Sequence, residues 1–207
     1  MKLDNLIRIR FREVPREILV RNPGIARLSL LGHRMQAVPW QSCGSYALAG
    51  MLQARLELDL SEEEVLKDKY LLGHPKIKRT SVTEMASLTH HFSMLHRIED
   101  PKVFMTNRGD IRQLRYLTET GLMPVIIHRN HYEGQGSGHF HLMLGSAADQ
   151  VYFQNGAKGH VGFFKCDANT FCDQWWPVKQ GRITEKWYLA LPKKNERLPE
   201  MFKGKYM

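Results

Sequence analysis

The sequence predicts an α+β fold, helices first and an antiparallel sheet after. Three observations carry this. Ala47, Leu48, Met51, Leu52 and Leu56 recur at helical spacing in a run rich in Ala and Leu. Two capping boxes follow, Ser61-Glu-Glu-Glu64 and Ser81-Val-Thr-Glu84, each opening a further helical segment. Beyond residue 120 the β-prone runs dominate: Met123 to Arg129, Phe140 to Leu144, Val151 to Phe153 and Ile183 to Leu191.

Taken in order, residues 1–34 form a basic lead-in, with Ile7, Ile9 and Phe11 alternating against Arg8 and Arg10 as in a strand. A domain over 35–192 follows. Its first helix runs from Cys43 to about Leu58. The second spans Ser61 to about Leu71 and is ended by Gly73 and Pro75; the third spans Ser81 to about Phe92. Asp110 to Glu119 is a fourth, stopped by Gly121. Met123 to Arg129 is a strand leading through a Gly/His-rich loop, 130–138, into a β-hairpin. In the hairpin the polar turn Ser146 to Asp149 joins Phe140–Leu144 to Val151–Phe153. A short helix from Ala168 to Trp176 is closed by Pro177, and a last strand spans 183–191 before a basic tail, 193–207.

Composition fits one globular domain: 207 residues, 43% apolar and 25% charged. No apolar run reaches the length of a membrane helix, and the N-terminus lacks a signal-peptide core, so the expectation is a cytoplasmic protein with no membrane span. Delivery outside the cell, if it occurs, is by a leaderless route. Three cysteines, Cys43, Cys166 and Cys172, cannot all pair within the chain, and their spacing is not that of a zinc site. The net charge is +9 and both ends are basic, with eight basic against three acidic residues in 1–35 and five against two in 193–207. Such ends suit an acidic partner or surface. Nucleic acid is the less favoured partner, because no fold-level nucleic-acid motif accompanies the charge.

Cys43 stands where a loop, Gln36-Ala-Val-Pro-Trp-Gln-Ser42, meets the first strong helix. Unpaired N–H groups and the partial positive charge of a helix N-terminus favour a thiolate there. A second fragment supplies a partner: Gly138-His139-Phe140 at the start of one hairpin strand and Asn155 at the end of the other. Cysteine, histidine and an amide, in that order, are what nucleophilic acyl chemistry needs. The imidazole takes the thiol proton and later protonates the leaving group, and the amide fixes the imidazole tautomer.

These residues resemble the papain-fold cysteine peptidases, and among them the compact bacterial group similar to the double-glycine leader peptidases that process bacteriocins. The match rests on Gln36, then Cys43, Gly44, Ala47 and Leu48; on His139, with Gly145 six residues later and Asn155 sixteen later; and loosely on Leu117 to Ile126. It covers about residues 35 to 190. The resemblance implies a papain-like fold, thiol-protease activity on a peptide or protein substrate, a Cys43–His139–Asn155 triad, and Gln36 as the oxyanion-hole amide beside the Cys43 N–H. Three departures stand out. The usual glutamine position, six before the cysteine, holds Ala37, with Gln36 seven before and Gln41 two before. Asn155 replaces the aspartate of the leader peptidases. No transporter or nucleotide-binding domain is attached, so the expectation is a free-standing relative.

No cofactor is expected. The rival reading is metal, since His128, His131, His139 and His141 crowd one stretch; His139 and His141 share one strand face, and no recognised zinc spacing accompanies them. On that reading His141 is a sheet neighbour, and His90 and His91 sit near a helix end. Trp175 and Trp176 are expected to pack the last helix on the sheet. The functional expectation is a cysteine hydrolase working through an acyl-enzyme. Other acyl transfer on the same framework (transglutaminase, deamidase or cell-wall amidase) is the alternative, and a non-catalytic basic binding protein is the second.

Overall fold

A computed structural model describes residues 7–30, 43–58, 60–73, 80–96, 103–130, 137–155, 162–175, 186–192, 198–202 and 205–206. The fold is mixed helix and antiparallel sheet. Its strands are β1 (Ile7–Ile9), β2 (Phe104–Thr106), β3 (Val125–Asn130), β4 (Ser137–Ala147), β5 (Gln150–Asn155), β6 (Gly162–Asp167), β7 (Tyr188–Ala190) and β8 (Lys205–Tyr206). They form one sheet in the order β1-β6-β5-β4-β3-β7-β2-β8, every neighbouring pair antiparallel. The α-helices are α1 (Arg16–Arg21), α2 (Ile25–Leu30), α3 (Cys43–Leu56), α4 (Glu62–Leu71), α5 (Val82–Leu95), α6 (Ile111–Glu119) and α7 (Ala168–Gln174).

Helices cover both faces of the sheet, a three-layer arrangement set by the pleat. Successive strand residues face opposite ways. Val125, Ile127, Phe140, Leu142, Leu144, Tyr152, Phe163 and Leu189 enter one core with Cys43, Leu48 and Leu52 of α3, Val65 of α4 and Met85 of α5. Ile126, Met143, Val151, Phe153, Phe164 and Tyr188 enter a second with Leu114 and Leu117 of α6 and Phe171 of α7. The strands are therefore apolar on both sides, unlike a sheet with one wet face.

The helices begin where the sequence reading placed them. In both capping boxes the serine Oγ accepts from the backbone N–H three residues on, 3.2 Å for Ser61 and for Ser81. The Glu64 and Glu84 carboxylates in turn accept from the Ser61 and Ser81 backbone N–H groups at 2.7 and 2.6 Å. Asp110 caps α6 by accepting from the Arg112 N–H, two residues on, at 2.7 Å. Helix α3 is apolar nearly all round and buried throughout its first three turns except at Tyr46. The reason is position: the sheet lies beneath it and α2, α4 and α5 flank it.

Two regions read as flanking segments belong to the same body. Over residues 7–30 the lead-in adds the edge strand β1 on β6 and two helices whose Ile18, Ile25 and Leu28 are fully buried. Arg8, Arg10 and Arg12 are exposed beside that edge, where charge discourages pairing with another chain. The C-terminal tail returns as β8 on β2, with Phe202 packed edge-on against Phe104. Trp175 is buried in the second core and its Nε1–H donates to the Trp187 carbonyl at 3.0 Å, as expected of a packing residue; Trp176 lies outside the described residues. Among the described residues no helix is long and apolar enough to cross a membrane.

Leu142 of β4 is fully buried beneath α3, so Leu142→Ala removes contacts that its neighbours cannot replace. The expected loss is about 2–5 kcal/mol in urea denaturation, against about 1 kcal/mol for Ser81→Ala, which deletes a cap at a helix end.

Candidate active site

Cys43 opens α3 and is buried. The helix lies along β4, its direction fixed by contacts at two heights. Gly50 sits over Leu142 and Gln154: a Cβ there would meet Gln154 Oε1 at 3.0 Å and Leu142 Cδ2 at 3.3 Å. Toward the C-terminal end, Arg55 Nε donates to the Leu191 carbonyl at 3.1 Å, beyond the residues of β7 that pair with Val125 and Ile126. From Gly50 back to Cys43 is seven helical residues, about 10 Å. From Leu142 back to His139 is three strand residues, also about 10 Å. The thiol and His139 are therefore level with one another at the same end of the sheet.

They are on opposite faces of it. Phe140 and Leu142 point to α3, so His139 and His141 point away. His139 and His141 meet edge to face with centroids 4.7 Å apart; His141 packs on Phe153 at 5.1 Å and on His128 at 5.3 Å. His128, paired in register with His139, stacks on Phe171 of α7 at 6.1 Å. All three histidines are buried in the second core, beside α7, with the sheet between them and Cys43. Asn155 ends β5, paired with Gly162 and adjacent to Gln154, which pairs with Leu142. Its backbone is thus at the His139 end of the sheet. Gln36, Gln41, Ala37 and His131 lie outside the described residues.

The three histidines form an aromatic cluster with Phe153 and Phe171, and among the described residues no group of three or more His, Cys, Asp or Glu side chains is disposed to hold a metal ion. Burial, with His139 and His128 as neighbours, holds His141 well below the usual imidazole range, so it is neutral in the fold. His91 is paired with Asp68 of α4 at 3.1 Å, and His90 is exposed.

The other thiols contrast with Cys43. Burial pushes Cys166 up to about 12, and Cys172 is also raised, mainly by burial. On the α3 side a residue that the sequence reading passed over stands near the thiol. Lys69 of α4 is fully buried, its Nζ donates to Thr80 Oγ1 at 3.3 Å, and Cys43 is among the groups whose charge acts on it. A signal was present in the sequence. With Val65 and Leu66 on the helix's inner face, Lys69 falls one turn after Val65, where a solvated lysine has no place.

Comparison of the sequence with models of known families and with curated proteins finds no match.

The buried histidine predicts acid sensitivity. His141 is depressed in the fold and titrates near its ordinary value, about 6.5, when unfolded, so the unfolded chain binds more protons below that pH. Its contribution is complete above about pH 6.5 and is lost as the pH falls toward the native value. Thermal melts between about pH 8 and pH 5 should show Tm falling on acidification, and His141→Phe, which keeps the ring packing on Phe153, should flatten that slope.

Proposed function

We propose that this chain is a cysteine hydrolase that cleaves a peptide or amide bond through an acyl-enzyme on Cys43. One observation carries the reading: α3 presents Cys43 at its N-terminus, level with the strand ends that hold His139 and Asn155. The chemistry follows from the residue types. A thiolate at the helix N-terminus attacks the carbonyl, the Cys43 N–H and an amide such as that of Gln36 stabilise the oxyanion, amine departs, and water releases the acyl group.

Supply of the proton acceptor is the step this geometry constrains most. His139 can serve as base only from the α3 face, so the proposed triad requires the first residues of β4 to re-aim by one position. A one-residue bulge has that effect, and bulges are a recurrent device beside active sites. Asn155 then orients the imidazole from the adjoining strand. The proposal on the basic ends is that they recruit an acidic substrate or surface; of these residues Arg8, Arg10 and Arg12 are exposed on the described part of the fold, and Lys193, Lys194 and Arg197 lie outside it.

The test uses iodoacetamide labelling with peptide mapping and turnover of a fluorogenic peptide-amide library. Cys43 should label near pH 6 ahead of Cys166 and Cys172, and Cys43→Ala should abolish turnover with the fold intact. His139→Ala should lower kcat/KM by about 10³ or more, Asn155→Ala by less, and His141→Ala least. Labelling of Cys166 or Cys172 first, or turnover that survives Cys43→Ala, would refute the assignment.

A further inference from the structure

A cavity of about 580 Å³ opens at the end of α3 far from Cys43. Ala54, which lines it, stands eleven helical residues beyond the thiol, about 16 Å away. The volume suits a small-molecule ligand. Three helix ends meet there: Arg21 closes α1, Arg55 and Glu57 straddle the end of α3, and Thr120 and Gly121 follow α6. They approach backbone to backbone, since a Cβ on Gly24 would strike the Ala54 carbonyl oxygen and one on Gly121 would come within 3.0 Å of that of Arg21.

The ionisable lining is three arginines, Arg21, Arg27 and Arg55, against one carboxylate, that of Glu57, a net charge of +2. Arg27 grips Glu57 twice: Nη1 donates to its carbonyl at 2.7 Å and Nη2 to its Oε2 at 3.0 Å. Glu57 is held at φ 58, a left-handed conformation uncommon outside glycine. Both side chains of the pair are well exposed, a setting in which a guanidinium exchanges one carboxylate for another at little cost. Arg55 commits its Nε to the Leu191 carbonyl, and Arg21 is exposed.

Against the side-chain charge stand the last carbonyls of α1, α3 and α6, each helix end carrying up to about half a negative charge. The two contributions come close to balance, so a bare anion gains little here, whereas a ligand that brings both a carboxylate and N–H donors answers both. Asn22 is an independent sign of the missing donor. It is buried and lines the cavity. Its Nδ2 donates to the carbonyls of Thr118 at 2.9 Å, Leu144 at 3.3 Å and Ile18 at 3.4 Å, which fixes the orientation of the amide. Its Oδ1 has no hydrogen-bond partner among the described residues, and a buried acceptor calls for one. We propose that this cavity binds a small zwitterion, a free amino acid or short peptide, with its carboxylate on the Arg21 and Arg27 guanidinium groups and its ammonium toward the helix-end carbonyls and Asn22.

The test is thermal unfolding of the full chain at fixed ionic strength and about pH 7, where both ends of a peptide are charged. The probes are alanylalanine, its C-terminal amide, its N-acetyl derivative and inorganic phosphate. The zwitterionic dipeptide should raise Tm by about 3 °C or more at about ten times its Kd, and the amide and acetyl forms, each lacking one charge, by less than half as much. Arg21→Gln, a change at an exposed position, should abolish the rise. Glu57→Gln removes the carboxylate that competes for Arg27 and should enlarge it. The same shifts are expected in Cys43→Ala, which cannot turn a probe over, so the result is independent of the hydrolase reading. A dipeptide without effect up to its solubility limit, a rise that survives Arg21→Gln, or phosphate or the acetyl form acting as strongly as the dipeptide would overturn the proposal.

Discussion

The pleat of β4 is the constraint on which the remainder of the molecule depends. Phe140, Leu142 and Leu144 build the core under α3, while His139, His141 and Met143 face the layer of α6 and α7. A slip of one residue against β3 or β5 would exchange the two sets and put imidazoles where α3 needs aliphatic surface. Both cores lock the register together, since each strand neighbour also contributes to both sides: Ile126 and Ile127 on β3, Tyr152 and Phe153 on β5. Sheets covered on both faces rarely tolerate such slips, because neither face can be surrendered to solvent.

The close approach of α3 to that strand sets the height and level of the thiol. At Gly50 there is room for backbone and little else, with Leu142 and Gln154 directly beneath. A larger residue would lift the helix and carry Cys43 with it. At the far end Gly24 gives the same closeness between the start of α2 and Ala54 of α3. Helix and strand therefore run in the same direction, with the N-terminus of α3 toward the ends of β4 and β5 that hold His139 and Asn155. The sheet then acts as a partition. On the α3 face the charges of Glu84 and Cys43 act on Lys69, and on the other face His139 and His128 act on His141. Charge within a face couples through a few ångströms of low-dielectric interior; charge across the sheet is separated by two layers of side chains and couples far less.

How much of this was legible in the sequence depends on which signal is local. Capping boxes are local, and Ser61, Ser81 and Asp110 announced their helices correctly because the bonds that define them close within three residues. The hairpin was legible for the same reason. The short strands β2, β6 and β8 were not read, nor were α1 and α2, since Phe104–Thr106 or Lys205–Tyr206 becomes a strand only when a partner from elsewhere in the chain arrives. The sequence order of Cys43, His139 and Asn155 placed all three at one end of the sheet. It did not reveal the face, because alternation says that His139 and His141 agree with each other and leaves open which side α3 will choose. Lys69 was passed over for a related reason. In a helix full of Glu, Asp and Lys the place of Lys69 one turn after Val65 is an easily missed signal of the burial the fold gives it.

The same strand shows how a face can be reassigned. Between Met143 and Gly145 the register of β4 against β5 shifts by one, so that Leu144 and Gly145 together oppose Tyr152. Met143 faces the α7 side, Leu144 faces α3, and after the bulge Gly145 again lies against Ile18 of α1 and Ala147 packs in the α3-side core. One extra residue has thus inverted the alternation without breaking the sheet. A bulge placed before Leu142 would leave Leu142 and everything after it where they stand and would turn His139 toward Cys43. The cost would fall on the His128–His141 contacts and on one pair of ladder bonds at the end of β3. Fold and catalysis therefore make different demands on residues 137–141: the core asks for Phe140 on the α3 face, and acyl chemistry at Cys43 asks for His139 there. Only at a strand end, where few bonds hold the register, can one sequence meet both.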